Sequence, residues 1–504
     1  MGKHYITPKA LSEYVNFLQH VQHSRVVNFI IWVLERIAQV LGYPIYIGLP
    51  EELAELKEKP EALRAMRIVK RLQQAGYISS SNFYTSGYPD EPPSKLLIHT
   101  LRQTAGIGWN GKAAHTSDFS YLQWPALGEA VERYCLQHTF YREKELVFSS
   151  YASLNKPKAD IFNISGFSKE EKSNNKSSNT LDYDTHSKFL WVPAVDAISR
   201  NTVYAPWQWF SFAKISSILH KENSQTDNEP LLSPPISSGA AAGQNKQDAI
   251  LTGLLEVIER DAFMIYWLQQ LGAHRIDLTT IVNKEVQSLI KLATDYHLEL
   301  HVLYLETDAP VHTLCLVILD KTGCSQAVSV DAKSGFDVIS IIADLLQDQL
   351  AQHGALHEHW EYNPDLRNVP VSELCLQERM LYWHRPERLE DISTFISGPY
   401  YSIDELPSYN VEADTEARLQ HLYSWCKKNK YPVYYREIIS PELKRLTEGM
   451  SVVTVRVPNL QPLYVKEKLK ATGGSRLQAV PVSVGYQSQY GPDSGYCKIP
   501  SPFV

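Results

Sequence analysis

Four glutamates stand in two copies of one short pattern. Glu129 and Glu132 lie in Ala126-Leu-Gly-Glu-Ala-Val-Glu-Arg-Tyr134, and Glu256 and Glu259 in Thr252-Gly-Leu-Leu-Glu-Val-Ile-Glu-Arg-Asp261. On a helix, positions i and i+3 share a face, so each copy sets two carboxylates side by side. Their mutual repulsion is relieved by a hard cation such as Mg2+, which takes one or two carboxylates together with nucleotide phosphates. Four glutamates suffice for more than one ion. A plainer explanation exists for either copy alone: Glu129 with Arg133, and Glu256 with Arg260, are i, i+4 pairs that add a few tenths of a kcal/mol to a solvated helix. Recurrence weakens that explanation. So does the run before the second copy, Ser237-Ser-Gly-Ala-Ala-Ala-Gly243, which reads as a loop of small residues that lets a phosphate or nucleoside approach the backbone ahead of a helix.

The elements that must position these glutamates are legible in outline. Apolar residues recur at helical spacing over 11–41, and a second helical stretch over 51–76 meets Pro60, which breaks it or starts its second half, and Gly76, which suits its end. Turn formers over 84–93 place a boundary after a helical region spanning residues 1–90. Residues 91–504 then form the main domain. Within it, 167–186 is polar, Ser/Asn/Lys-rich and expected to be a mobile surface insertion. Strands are expected at 189–193, 201–206, 298–305 and 311–319, with an amphipathic helix at 284–296. Strands and helices alternate imperfectly, which indicates a mixed α/β (α+β) domain rather than a doubly wound sheet.

Composition narrows the function classes. With 44% hydrophobic and 21% charged residues the 504-residue chain is that of an ordinary folded protein. Its net charge of −7 argues against a nucleic-acid footprint. The apolar run 26–34, bounded by Arg25 and Glu35, falls short of the ~20 residues a membrane span needs. Six scattered cysteines without a CxxC pair read as reduced thiols, and the N-terminus lacks a signal-peptide pattern; both point to the cytoplasm.

The two glutamate motifs and their surroundings resemble the YcaO superfamily over roughly residues 95–504. The 237–262 segment is similar to its central motif, and Gly128-Glu-Ala-Val-Glu-Arg-Tyr134 to its first. Trp191-Val-Pro-Ala and Val203-Tyr-Ala-Pro resemble the strands that precede the central motif. The resemblance implies a YcaO-type ATP-binding fold, with ATP and Mg2+ as cofactors and Glu129, Glu132, Glu256 and Glu259 as metal ligands. Arg133 and Arg260 then reach phosphate or orient the glutamates. Gln244 stands where the family often has Asn, and Pro125 where it usually has Ser. A third family stretch, Glu-x-x-Gln-x-Arg, appears as Asp344-Leu-Leu-Gln347-Asp-Gln349: Asp344 keeps a carboxylate and Gln347 matches, but the arginine is replaced.

Competing motifs are weaker. Gly106-Ile-Gly-Trp-Asn-Gly111-Lys112 begins like a P-loop, yet Ala113 stands where a hydroxyl must hold Mg2+. In the family reading it is the approach to the first motif, with Lys112 a nucleotide or substrate contact. His357, His359 and His384 have no accompanying carboxylate pattern and read as surface or core histidines.

The C-terminus selects among YcaO chemistries. Val457-Pro458, Gly473-Gly-Ser-Arg476 and the ending Lys498-Ile-Pro500-Ser-Pro502-Phe-Val504 resemble the azoline-forming cyclodehydratases, whose proline-alternating tail reaches the active site. Pro500, Pro502 and the Val504 carboxylate are the implied catalytic end. Without the family, the same prolines read as a polyproline-like tail. The resemblance implies phosphorylation of a backbone amide oxygen in a ribosomally made precursor peptide, with Cys, Ser or Thr closing onto it as a thiazoline or oxazoline. It also implies an E1-like or leader-binding partner, and leaves open a flavin dehydrogenase in the same complex and a homodimer. A non-catalytic scaffold and a thioamide- or amidine-forming enzyme are the alternatives.

Overall fold

The computed structural model describes residues 59–85, 91–102, 110–174, 181–212, 229–322, 327–353, 371, 374, 376–488, 490–491 and 495–503. They fall into two compact units, one with 59–85 and 94–133, the other with 91–93 and the described residues from 134 onward.

In the first unit, helix α1 (Pro60–Gln74) begins at Pro60, whose missing N–H costs nothing in the first turn. It ends where Gly76 takes φ +83°, a conformation open to glycine. Its stripe of Ala62, Ala65, Ile68, Val69 and Leu72 is buried. Residues 78–85, expected within a helical region, instead form β1 (Ile78–Thr85), which pairs antiparallel with β2 (Lys95–Leu101), itself paired with β3 (Gly111–His115). Ser81 and His99 face each other across this sheet, Oγ to Nδ1 at 2.8 Å, and both are buried. A polar pair pointing inward hides the strand from a hydrophobic pattern. Helix α2 (Gln123–Gln137) carries the first glutamate motif, and Ala126 on it packs with Phe83, Leu97 and Phe119.

The second unit is layered. One sheet orders β4 (Val147–Ser150), β5 (Lys188–Asp196), β13 (Tyr434–Glu437), β14 (Ser451–Arg456) and β7 (Ala240–Gly243), with β6 (Thr202–Pro206) on β5. The other orders β11 (Val328–Gly335), β10 (His312–Asp320), β9 (Leu298–Tyr304), β8 (His274–Ile276) and β12 (Tyr400–Tyr401). Helix α3 (Lys246–Gln269) packs on β7 and β14 of the first sheet and on β11 of the second. Its C-terminal stretch, from Asp261 to Gln269, is buried all round, as a helix between two sheets must be. Helices α4 (Lys284–Asp295) and α5 (Val338–Gln352) contribute to the apolar cluster with Val302, Leu314 and Leu316 of the second sheet. Further along are α6 (Thr415–Lys428) and α7 (Arg476–Ser483), both packed on α3.

Two expectations change here. The small-residue run before α3 is not a loop throughout: Ala240–Gly243 is an edge strand paired with β14. Close packing explains its composition. A Cβ on Gly239 would sit 2.2 Å from the Val455 carbonyl oxygen, and one on Gly243 2.5 Å from Ala249 N. The polar segment 167–186 is anchored where it is described. Phe167 and Leu181 are buried with Ala471, and the Glu171 carboxylate accepts from Ala471 N at 2.8 Å and Thr472 N at 2.9 Å.

Cys315, Cys426 and Cys497 are free and buried, and Cys135 is buried. Among the described residues no helix is long and apolar enough to cross a membrane.

Candidate functional site

Both glutamate motifs are built the same way. In the first unit, Glu129 Oε2 accepts from the backbone N–H of Lys112 at 2.8 Å, while Arg133 Nη2 lies 3.3 Å from Oε1. In the second, Glu256 Oε2 accepts from the backbone N–H of Gly239 at 2.9 Å, and Arg260 Nη2 lies 3.4 Å from Oε1. Each time a glycine lets the preceding segment come close to the helix, a strand in the first case and the turn before β7 in the second: a Cβ on Gly111 would stand 2.3 Å from Ala130 N, and one on Gly253 2.6 Å from the Gly239 carbonyl oxygen. The sequence repeat is therefore a structural repeat of strand, close glycine contact and glutamate-bearing helix. Two of the four expected ligands belong to each unit. Glu132 is half-buried on α2.

Glu259 is 7% exposed. Burial pushes its carboxyl up to about 8, against the pull of Arg260 and with Asp331 and Glu256 adding to the rise. Ser334 N donates to it at 3.3 Å. Arg260 Nε lies 3.3 Å from Glu259 Oε1 without hydrogen-bond alignment, and its Nη1 has no hydrogen-bond partner among the described residues; both nitrogens are buried. An arginine with donors to spare beside crowded carboxylates suits a phosphate bridged to them by a cation.

Several participants escape sequence reading. Arg456 donates to the carbonyls of Trp209 and Ser238, each at 2.6 Å, and of Ile236 at 3.0 Å, and so holds the turn that aims Gly239 N–H at Glu256. Burial raises Asp331 on β11, and raises Asp348 on α5 to about 7. Asp344 is ion-paired with Lys333. Gln347 is buried. Gln349, where the family has arginine, bonds Ser329 and the Asp331 carboxylate, so it replaces a positive charge with an amide among acids. The alternation of Asp331 with buried Val330 and Ala332 was the available signal.

Other expected residues are placed as follows. The Lys112 side chain is exposed; the backbone N–H is what engages Glu129. Gly111 and Lys112 open a strand, not the loop-to-helix turn of a P-loop. Gln244 is exposed in the turn before α3, next to the N-cap Asn245. His384 is buried, and His357 and His359 lie outside the described residues. Pro500 and Pro502 are buried rather than free in a polyproline-like tail. Trp383 Nε1 donates to the Pro500 carbonyl at 3.2 Å, and Phe503 stacks on Phe263 at 4.6 Å with its ring 4.0 Å from the Arg260 guanidinium. Val504 lies outside the described residues.

Beside Arg260 is a cavity of about 50 Å³ bordered by Ser238, Arg456 and Gln461. It has room for a few waters. Among the described residues no three His, Cys, Asp or Glu side chains form a group that could hold a metal ion. The donors in each motif are nonetheless carboxylate oxygens, the ligand type that Mg2+ takes, and the spare Arg260 donors fit phosphate. In kind, these residues fit the pair of cofactors.

A search of curated protein sequences returns no match. Solved structures share the fold. A heterocyclase in complex with substrate and cofactor aligns at TM-score 0.67 and 18% identity, over 86% of this chain and 57% of its own, so the chain spans little more than half of that protein. YcaO from Methanopyrus kandleri bound with AMPPCP and Mg2+ aligns at TM-score 0.55 and 16% identity, over 81% of this chain and 92% of its own. The E. coli microcin synthetase McbBCD complex with pro-MccB17 bound aligns at 0.53 and 15%, over 83% and 96%. The profile of one family, YcaO cyclodehydratase, ATP- and Mg2+-binding, matches residues 123–461, which include both glutamate motifs. With that match over more than half its length, the chain belongs to the YcaO cyclodehydratase family, whose cofactors are ATP and Mg2+.

Proposed function

We propose that the chain is the ATP-dependent cyclodehydratase subunit that converts Cys, Ser or Thr residues of a ribosomally made precursor peptide to thiazolines or oxazolines. The substrate's thiol or hydroxyl attacks the preceding amide carbonyl, the amide oxygen is phosphorylated, and it leaves as phosphate while the ring closes. ATP supplies the phosphoryl group, and Mg2+ neutralises its charge. Glu129, Glu132, Glu256 and Glu259 are the metal-holding residues in this proposal, and Arg260 faces phosphate, with Arg133 in the same role on the other motif. Such chemistry needs positioning and charge neutralisation, and no protein nucleophile.

One observation carries the choice of azoline formation: the buried, proline-bearing C-terminus ends with Phe503 on Arg260 of the central motif. The Val504 carboxylate, implied by the family resemblance, is the proposed proton-transfer group. The peptide's leader is held by an E1-like or leader-binding partner in this proposal, and a flavin dehydrogenase oxidises the rings where azoles are made. A homodimer is compatible with it. The E. coli relative, a McbBCD complex with pro-MccB17 bound, supports a peptide substrate and partner subunits. Free, buried cysteines suit the cytoplasm.

Gln349 favours a second reading, a non-catalytic scaffold, because it removes a cation from the acidic surroundings of Glu259. Incubation with candidate peptide, partner protein, ATP and Mg2+ separates the readings. Loss of one water per ring supports the cyclodehydratase, peptide-dependent turnover without that loss supports thioamide or amidine formation, and no nucleotide binding supports the scaffold.

A further inference from the structure

The Gly473-Gly-Ser-Arg476 run ends in an arginine that is 3% exposed. Its approach is tight: a Cβ on Gly473 would meet the Gly166 carbonyl oxygen at 2.9 Å, and one on Gly474 the Ser165 hydroxyl at 2.5 Å. Arg476 forks onto Asp261, Nε to Oδ1 at 2.8 Å and Nη2 to Oδ2 at 2.6 Å. It reaches Asp308 through Nη2 at 2.7 Å and Nη1 at 3.3 Å, and Nη1 also donates to the Tyr431 hydroxyl at 2.9 Å. These partners satisfy a guanidinium's five donors, which leaves none for substrate. Asp261 also accepts Gln461 N at 2.7 Å, and it directly follows Glu259 and Arg260 on α3.

Beyond Arg476, described residues touch α3 at several points. Gln269 Nε2 donates to the carbonyls of Leu477 at 2.6 Å and Tyr490 at 2.9 Å, Cys497 N donates to the Leu268 carbonyl at 3.0 Å, and Phe503 ends on Arg260. The first fixed point of the segment and its last contact are thus neighbours on one helix, Asp261 and Arg260.

We propose that Arg476 is a positioning residue whose clamp on Asp261 and Asp308 seats the C-terminal segment on α3 and so sets Phe503 against Arg260. Its consequence for ring formation rests on the proposed cyclodehydratase activity; the seating itself does not. Arg476→Met removes the clamp, and Arg476→Lys keeps the charge but not the fork. Hydrogen exchange and carboxypeptidase digestion of the full chain read the seating without any activity. Both variants are expected to speed exchange over 486–503 and release of C-terminal residues by at least about tenfold, with exchange in β9 and β10 unchanged. Should Arg476→Met not fold, Arg476→Lys decides. Tail protection unchanged in the folded variant, or exchange rising equally in all elements, overturns the proposal. Where wild type turns over peptide, the variants lower kcat with little change in the KM for ATP, and an unchanged kcat overturns the functional consequence. A released tail together with an inactive wild type upholds the seating and defeats only the cyclodehydratase reading.

Discussion

The Phe503 ring lies 4.0 Å from the guanidinium of Arg260, so the last described residue of the chain covers the arginine of the central glutamate motif. An aromatic face beside a partly desolvated cation contributes about 1–2 kcal/mol and shields the charge from water. Replacing Phe503 with Ala removes both that contact and the stack on Phe263. The expected result is loss of ring formation with Mg2+-dependent nucleotide binding retained, read by peptide mass and by calorimetry. Ring formation at the wild-type rate contradicts a role for the tail.

Glu256→Gln and Glu259→Gln test the metal-ligand assignment. Each is expected to lower Mg2+-dependent ATP turnover by more than about 100-fold, beyond what loss of an outer-sphere partner costs a metal site. Circular dichroism should be unchanged, since Gln keeps the shape and can still accept the Gly239 N–H that Glu256 now accepts. Turnover within a few-fold of wild type removes these residues from the site.

Gly239→Ala tests why small residues precede α3. At φ +82° an alanine is strained by about 1–2 kcal/mol, and its Cβ would stand 2.2 Å from the Val455 carbonyl oxygen. A clear fall in thermal midpoint is expected, with weakened nucleotide binding because the Gly239 N–H shifts away from Glu256. An unchanged midpoint means the close approach is not required.

His99 gives the first unit a pH dependence of definite sign. Burial pushes this imidazole down to about 4. The unfolded chain therefore takes up its proton first, near pH 6.5, and stability falls as pH drops from there toward 4; it is fully present above pH 6.5. The full effect is about 3 kcal/mol. His99→Gln, which can keep the contact with Ser81, should flatten the pH dependence of the denaturation midpoint between pH 4 and 6.5. Equal slopes in the two proteins contradict the assignment.

Local chemistry was readable where it was written in consecutive residues. Pro60 and Gly76 bound α1, and the glutamate motifs do lie on helices because apolar spacing and paired charges agree there. Strands over 188–196, 202–206, 298–304 and 312–320 follow the expected runs closely. What depended on distant partners was not readable. The stretch Ser79-Ser-Ser-Asn82 lacks a strand's apolar alternation because Ser81 turns inward to His99, a residue 18 positions on. The 240–243 run looks like loop because its alanines and glycine are small for contact with α3 and pairing with β14, neither visible locally. Arg456 and Asp331 came to lie beside the central glutamate motif only when their strands were set against α3.

The central claim is that ATP use is coupled to dehydration of a peptide through the glutamate motifs. The most direct measurement is the ratio of ADP released to water lost from the peptide, followed together for wild type and Glu256→Gln with the partner protein and Mg2+ present. One ADP per water lost in wild type, and neither product with Glu256→Gln, is the predicted result. Dehydration that proceeds without ATP, or that survives Glu256→Gln, would contradict it.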